Sequence, residues 1–214
     1  MGEFPSSGWD DLQQGAGMYA TCRGCNSFGG RAYVPAYSDF VAGASAGLVS
    51  WGQSVEDGPP PPRIRLRADR VRPGAVIRQV LFMLLVASGS SGLGDRFPVL
   101  RSFVLDQRVG TLPSNLRVYL SFVVTSRIRI NSTQIRLNLV TGANVAMVEV
   151  AGPPFAWLLE IGDDSSSESQ DVSDWTKFPP DYQGRVDVET VLGSVVNPFV
   201  GDYRHVWQIE ADAS

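Results

Sequence analysis

The spacing of apolar residues changes along the chain and predicts a different structure for each segment. Residues 34–49 place apolar side chains three and four positions apart, which predicts one face of a helix. Residues 64–68 alternate apolar side chains with arginines, which predicts a half-buried strand. Residues 75–87 are apolar on nearly all sides between Pro73 and Ser88-Gly89. This run predicts a buried helix, with a central strand as the alternative.

Beyond residue 98 the pattern becomes one of short strands separated by glycine, proline and asparagine. The predicted strands cover residues 99–105, 117–125, 127–139, 145–150, 155–161, 185–191 and 203–210. Residues 163–174 are rich in serine, aspartate and glutamate, which predicts an exposed acidic loop. The whole pattern predicts an α+β fold, in which one or two helices accompany a mostly antiparallel β body.

A run of four prolines at residues 59–62, after Asp57-Gly58, ends any helix. It predicts a short stiff spacer in polyproline conformation, and a surface loop is an equally weighted alternative. With a spacer there, the chain divides into an N-terminal segment over residues 1–58 and a β-rich body over residues 63–214.

Composition restricts the function classes. Hydrophobic residues make up 43% of the chain, which is enough for a sizeable core. The net charge of −4 argues against a surface coated with basic residues for nucleic acid, although it is compatible with a local basic patch. Residues 1–20 contain neither a basic residue nor a long apolar run, so no secretory signal is expected. Two cysteines do not make a disulfide scaffold, and the predicted location is cytoplasmic.

The two cysteines are the most specific chemical signal. Cys22 and Cys25 are two residues apart, and Asn26 and Gly29-Gly30 follow, so both thiolates can face one metal ion above a tight turn. A structural zinc needs four ligands, and the single histidine, His205, lies near the far end. The spacing therefore predicts half of a zinc knuckle. A redox dithiol and two ordinary thiols in a turn are the alternatives.

Arginines concentrate on the strand predicted at residues 64–68 and at its exit. They are Arg63, Arg65, Arg67, Arg70, Arg72 and, further on, Arg78. Such a stripe can grip phosphates and is a candidate contact for nucleic acid. The interpretation we favour is a solvated strand face paired with acidic residues elsewhere.

Other catalytic patterns are missing from the sequence. A single histidine excludes a self-contained catalytic triad and any site that needs two histidines. The sequence contains no phosphate-binding glycine loop, nucleophile elbow or dinucleotide fingerprint. The aspartates at 163, 164, 171 and 174 match no calcium loop and fit a solvated loop.

The Cys-x-x-Cys-Asn motif of residues 22–26, with its glycine-containing turn, resembles the second zinc knuckle of HNH-type endonucleases that carry a structural zinc held by four cysteines. Residues 71–73, 76–83, 103–106, 112–113, 153–157 and 201–204 are similar to the body of prokaryotic HNH-endonuclease-like proteins. The resemblance implies that Cys22 and Cys25 bind zinc and that Asn26 braces the loop. It also implies a small, partial treble-clef-like knuckle ahead of the body.

The chain departs from that family where catalysis depends on it. In HNH enzymes a first cysteine pair and a catalytic histidine precede this knuckle, and the histidine polarises a water while a metal stabilises the leaving group. No cysteine or histidine precedes Cys22 here. The resemblance therefore implies a protein that does not cleave nucleic acid alone. Either it is degenerate and keeps its body for recognition, or the missing half lies on a second chain or upstream of a misassigned start.

A structural or interaction protein is the alternative from another class. A β-sandwich, as in a viral coat or matrix component, is typical of strand-rich sequences with frequent turns. The acidic lead-in at Glu3, Asp10 and Asp11 counts against a coat that packages nucleic acid, because such coats usually carry a basic arm.

Overall fold

The computed structural model describes residues 23–54, 63–88, 93–108, 110–123, 127–137, 144–152, 154–162, 169–191 and 202–205. Its helices are α1 (Arg23–Ala32), α2 (Val34–Ser54), α3 (Pro73–Ala87), α4 (Leu93–Arg96), α5 (Pro98–Leu105) and a 3-10 helix (Ser173–Lys177). Its strands are β1 (Arg63–Val71), β2 (Leu116–Phe122), β3 (Arg127–Leu137), β4 (Asn144–Gly152), β5 (Phe155–Ile161), β6 (Gln170–Asp171), β7 (Gly184–Val191) and β8 (Asp202–His205).

The strands form two antiparallel sheets that one glutamine side chain joins. One sheet has the order β6-β2-β5-β4-β3-β8, and the other pairs β1 with β7. Gln170 of β6 donates from Nε2 to Asp187 O of β7 at 3.2 Å, and its Oε1 accepts the Glu189 N–H at 2.5 Å. The side-chain amide thus bonds to β7 as a neighbouring strand would. The predicted α+β fold with a mostly antiparallel body is confirmed.

The main core lies between the helices and one face of the six-stranded sheet. Alternation along β5 places Phe155, Trp157 and Leu159 on this face. Helix α3 packs against it and is buried on nearly every side. The apolar run after Pro73 therefore forms a buried helix, as predicted, because proline at the first turn favours helix initiation.

Helix α2 contributes its apolar face to the same core. Phe40 stacks on Phe155 with ring centroids 4.9 Å apart and meets the edge of Trp175 at 5.5 Å. The helix predicted over residues 34–49 is confirmed and continues to Ser54. The prolines at 59–62 lie outside the described residues, and the division into residues 1–58 and 63–214 stays a prediction. Buried side chains of α2 nevertheless share one core with the body.

Two predicted segments differ from the structure. Residues 99–105, predicted as a strand, lie in α5, where Pro98 starts the helix and Leu100, Phe103 and Val104 form its buried stripe. The predicted acidic loop is partly structured, because β6 and the 3-10 helix follow residue 169. Trp175 is buried there. Residues 163–168 lie outside the described part of the chain.

Candidate anion-binding site

The arginine stripe of β1 faces carboxylates on β7. The strand register places Arg65 opposite Glu189 and Arg67 opposite Asp187. Arg65 Nε donates to Glu189 Oε2 at 2.8 Å, and Arg67 Nε donates to Asp187 Oδ1 at 2.9 Å. Arg63 reaches Glu189 at 4.0 Å. Arg65 and Arg67 are therefore neutralised by the partner strand, while Arg63 shares Glu189 with Arg65 and reaches it only at the limit of an ion pair.

Arg78 lies inside the protein, so its grouping with the surface arginines is wrong. Its side chain is 1% exposed on α3 and donates to Gly74 O at 3.1 Å and to Phe103 O at 3.3 Å. The guanidinium also lies 4.1 Å from the centroid of the Phe103 ring. Burial is possible because backbone carbonyls and an aromatic face replace water around the cation.

A β-bulge near the end of β1 sets Arg70 apart from the stripe. Ala68 pairs with Val186 and Val71 with Gly184, so β1 holds one residue more than β7 between these pairs. Arg70 has φ of 57°, in the left-handed region that favours glycine. Gln183 Nε2 donates to Arg70 O at 2.9 Å and helps to hold this backbone. Bulges redirect side chains and are frequent beside functional sites.

The bulge opens onto a cleft of about 370 Å³ between β1 and α2. Its polar lining consists of Asp39, Arg67, Asp69, Arg70, Arg72 and Gln183. Ala36 and Phe40 of α2 supply apolar lining, and Gly43 contributes a wall without a side chain. The cleft therefore combines three guanidinium groups with two carboxylates in one concave surface.

The charges of the cleft do not cancel. Asp69 Oδ1 accepts a hydrogen bond from Arg185 Nε at 2.8 Å, and this contact holds the pKa of Asp69 below its usual value. Arg72 reaches Asp39 only at 3.9 Å, at the limit of an ion pair. Arg70 forms no ion pair with any residue that the structure describes. Arg70 thus makes no direct ion pair among the described residues and Arg72 makes only a loose one, which leaves their forked donors available to an anion.

The predicted zinc ligands are only partly within the described residues. Cys22 lies outside them, while Cys25 and Asn26 lie in the first turn of α1, where the backbone alone is described. The tight turn predicted at Gly29-Gly30 is wrong, because both residues continue α1. A Cβ at position 29 would stand 3.5 Å from the ring of Phe82, an ordinary van der Waals contact, so packing does not require glycine there.

The sequence contains fewer cysteine and histidine residues than a structural zinc site usually takes. Such sites take four cysteine or histidine ligands, and the sequence offers two cysteines and one histidine. His205 ends β8, which pairs with β3. Within the described ranges, no three His, Cys, Asp or Glu residues are grouped so that they could hold a metal ion. Zinc at Cys22 and Cys25 stays a prediction that needs ligands from elsewhere.

Comparisons with known proteins give no relative. No protein-family model, curated protein or solved structure matches the chain. None of the helices in the described part of the chain has the length and apolar character needed to cross a bilayer.

Proposed function

We propose that this protein recognises nucleic acid through its phosphates and does not cleave it on its own. The observation that carries the proposal is Arg70, which lines the same cleft as Arg72 and forms no ion pair with any residue that the structure describes. Arginine is the side chain best suited to phosphate, because its planar fork donates two parallel hydrogen bonds. The contact is local, which is compatible with a net charge of −4.

The kinship to HNH endonucleases belongs to this proposal and rests on Cys22, Cys25 and Asn26. Cleavage by that mechanism needs a histidine to polarise water, and none precedes the knuckle. His205 stands far along the chain, on the other side of the cysteine pair from the family's catalytic histidine. Recognition without cleavage is the activity that the remaining residues support.

A second chain is the partner that would complete the zinc site. Two copies of Cys22 and Cys25 supply four thiolates, the number that a tetrahedral zinc requires. Purified protein is then expected to carry about one zinc per two chains in a dimer, measured by elemental analysis and mass in solution. If the protein is instead a metal-free monomer with free thiols, zinc binding and the relation to HNH endonucleases are refuted. Phosphate recognition at the cleft does not depend on this result.

A structural or interaction protein built on a β-sandwich stays the alternative. In the described part of the chain, α3 rather than a second sheet packs on the main face of the six-stranded sheet. A structural role would not require the cleft, so binding data separate the two hypotheses.

Fluorescence anisotropy with labelled single- and double-stranded oligonucleotides tests the proposed function. We expect binding that weakens with salt, with a log–log slope between about −0.7 and −1.8, because one or two guanidinium groups contact phosphates. The oligonucleotides should remain intact after incubation with Mg²⁺, Mn²⁺ or Zn²⁺. Failure to bind at low salt would refute recognition, and cleavage products would refute the non-cleaving half of the proposal.

A further inference from the structure

We propose that the cleft between β1 and α2 is a pocket for one phosphomonoester of nucleotide size, either a free nucleotide or the 5′-terminal nucleotide of a strand. The inference deepens the proposed function and rests on it for the strand-bound form of the ligand. It assigns the phosphate to Arg70 and Arg72, and it makes α2 one wall of the site.

The size of the cleft selects a single small group. Pockets for small molecules usually hold about 300 to 1,000 Å³. A volume of about 370 Å³ lies at the lower end of that range and admits one nucleotide-sized group. A continuous strand or a duplex would extend beyond a cleft of this size, so only the terminal group of a strand would enter it. Arg65 and Arg67, on the β1 face beside the cleft, are already paired with Glu189 and Asp187.

The charge of the cleft selects a terminal phosphate. A phosphomonoester carries up to two negative charges, whereas an internal phosphodiester carries one. Arg70 supplies one positive charge that no ion pair among the described residues holds. Arg72 can turn from Asp39 toward a phosphate, because their contact of 3.9 Å is loose and water can solvate the Asp39 carboxylate, whose side chain is 81% exposed. Gln183 adds a polar group at the cleft wall, while its amide also fixes the Arg70 carbonyl.

The backbone at Arg70 fits a binding role better than a structural one. Glycine is the residue that a left-handed bulge position favours, so arginine there is costly for the fold. The geometry gives Arg70 no compensating ion pair among the described residues. An arginine that lowers stability and makes no ion pair within the protein is expected at a position where its side chain binds a ligand.

Gly43 provides a way to block the cleft without disturbing the fold. A Cβ at this position would meet nothing within 4 Å, and Gly43 lines the cleft. Leucine at this position should fill the cleft and raise the helix propensity of α2. Gly30 is the matched control, because it is also helical and open but does not line the cleft.

The experiment is calorimetric titration with AMP and inorganic phosphate, together with anisotropy titration of one oligonucleotide carrying a 5′-phosphate or a 5′-hydroxyl. We expect AMP to bind and the 5′-phosphate to tighten oligonucleotide binding at least about 10-fold, the usual size of one charge-assisted contact. Arg70→Gln, Arg70→Gly and Gly43→Leu should each remove this preference. Arg70→Gly should also keep or raise the melting temperature, which separates loss of binding from loss of fold.

The controls Arg101→Gln and Gly30→Leu should behave like the unmodified protein, because Arg101 is an exposed arginine on α5. Equal binding of the 5′-phosphate and 5′-hydroxyl strands, both weakened by Arg70→Gly and with no AMP binding, would overturn the inference and leave nucleic-acid recognition at Arg70 standing. If AMP binds but neither oligonucleotide binds, the pocket is supported and the proposed function is overturned. If neither AMP nor the oligonucleotides bind, the inference and the proposed function are both overturned.

Discussion

Replacing Gly74 with alanine is expected to destabilise the protein by about 3 kcal/mol, near the upper end of the usual cost of overpacking. Gly74 lies in the first turn of α3, where a Cβ would stand 2.1 Å from Phe178 O and 2.7 Å from Pro179 O. Both obstacles are backbone atoms, so no rotamer change relieves the clash. The adjoining 3-10 helix is anchored by the buried Trp175, which limits how far this segment can retreat.

Urea denaturation of Gly74→Ala measures this loss as a lower transition midpoint at unchanged slope. The matched control is Gly30→Ala, which meets open space within α1 and should gain up to about 1 kcal/mol from helix propensity. A loss below about 1 kcal/mol in Gly74→Ala would show that α3 and the 178–179 backbone are not in tight contact.

Replacing Arg78 with methionine is expected to cost about 1–3 kcal/mol, the range for leaving buried acceptors without their donor. The guanidinium donates to Phe103 O at the C-terminal end of α5 and to Gln107 O just beyond it, at 3.3 and 3.4 Å. The carbonyls at a helix C-terminus lack partners within the helix, and methionine cannot donate to them. Tyr33 Oη donates to the neighbouring Val104 O at 2.8 Å, so two side chains cap this helix end together.

Denaturant titration of Arg78→Met beside Arg101→Met provides the measurement, because Arg101 is exposed on α5 and should change stability by no more than about 0.5 kcal/mol. Arg78→Lys should recover little, since a single ammonium group cannot replace the planar fork that reaches several carbonyls. Stability equal to the unmodified protein in Arg78→Met would mean that hydrophobic packing replaces the network and that the cap contributes little.

The elements with a strong periodic signal can be predicted from the sequence. Alternation over residues 63–68 predicts β1, and the apolar run after Pro73 predicts α3. The sequence pattern predicts a strand where α5 lies, because eight residues are too few for the hydrophobic period to decide between strand and helix. Proline at the start of this segment favours a helix and is the signal that identifies α5.

The candidate site is only partly predictable. Arg70 and Arg72 belong to the predicted set because they follow a strand rich in arginine, but nothing in the sequence distinguishes them from Arg63 or Arg65. The difference arises from pairing with β7. The register places Arg65 opposite a carboxylate of β7, whereas Arg70 lies in the β-bulge. Register between strands distant in sequence is a tertiary property, so local pattern does not reveal it. Gln183 and Gly43 carry no sequence signal for the cleft at all.

The most direct test of the central claim is a competition measurement at the cleft. A labelled 5′-phosphorylated oligonucleotide is bound to the protein, and AMP is added while anisotropy is followed. The account predicts that AMP releases the oligonucleotide, because both ligands require Arg70. In Gly43→Leu, which blocks the same space, neither AMP nor the 5′-phosphate should bind at the cleft, so any residual oligonucleotide binding should not respond to AMP. Gly30→Leu should show the same release as the unmodified protein. An oligonucleotide that stays bound at saturating AMP would show that nucleic acid is held elsewhere and contradict the account.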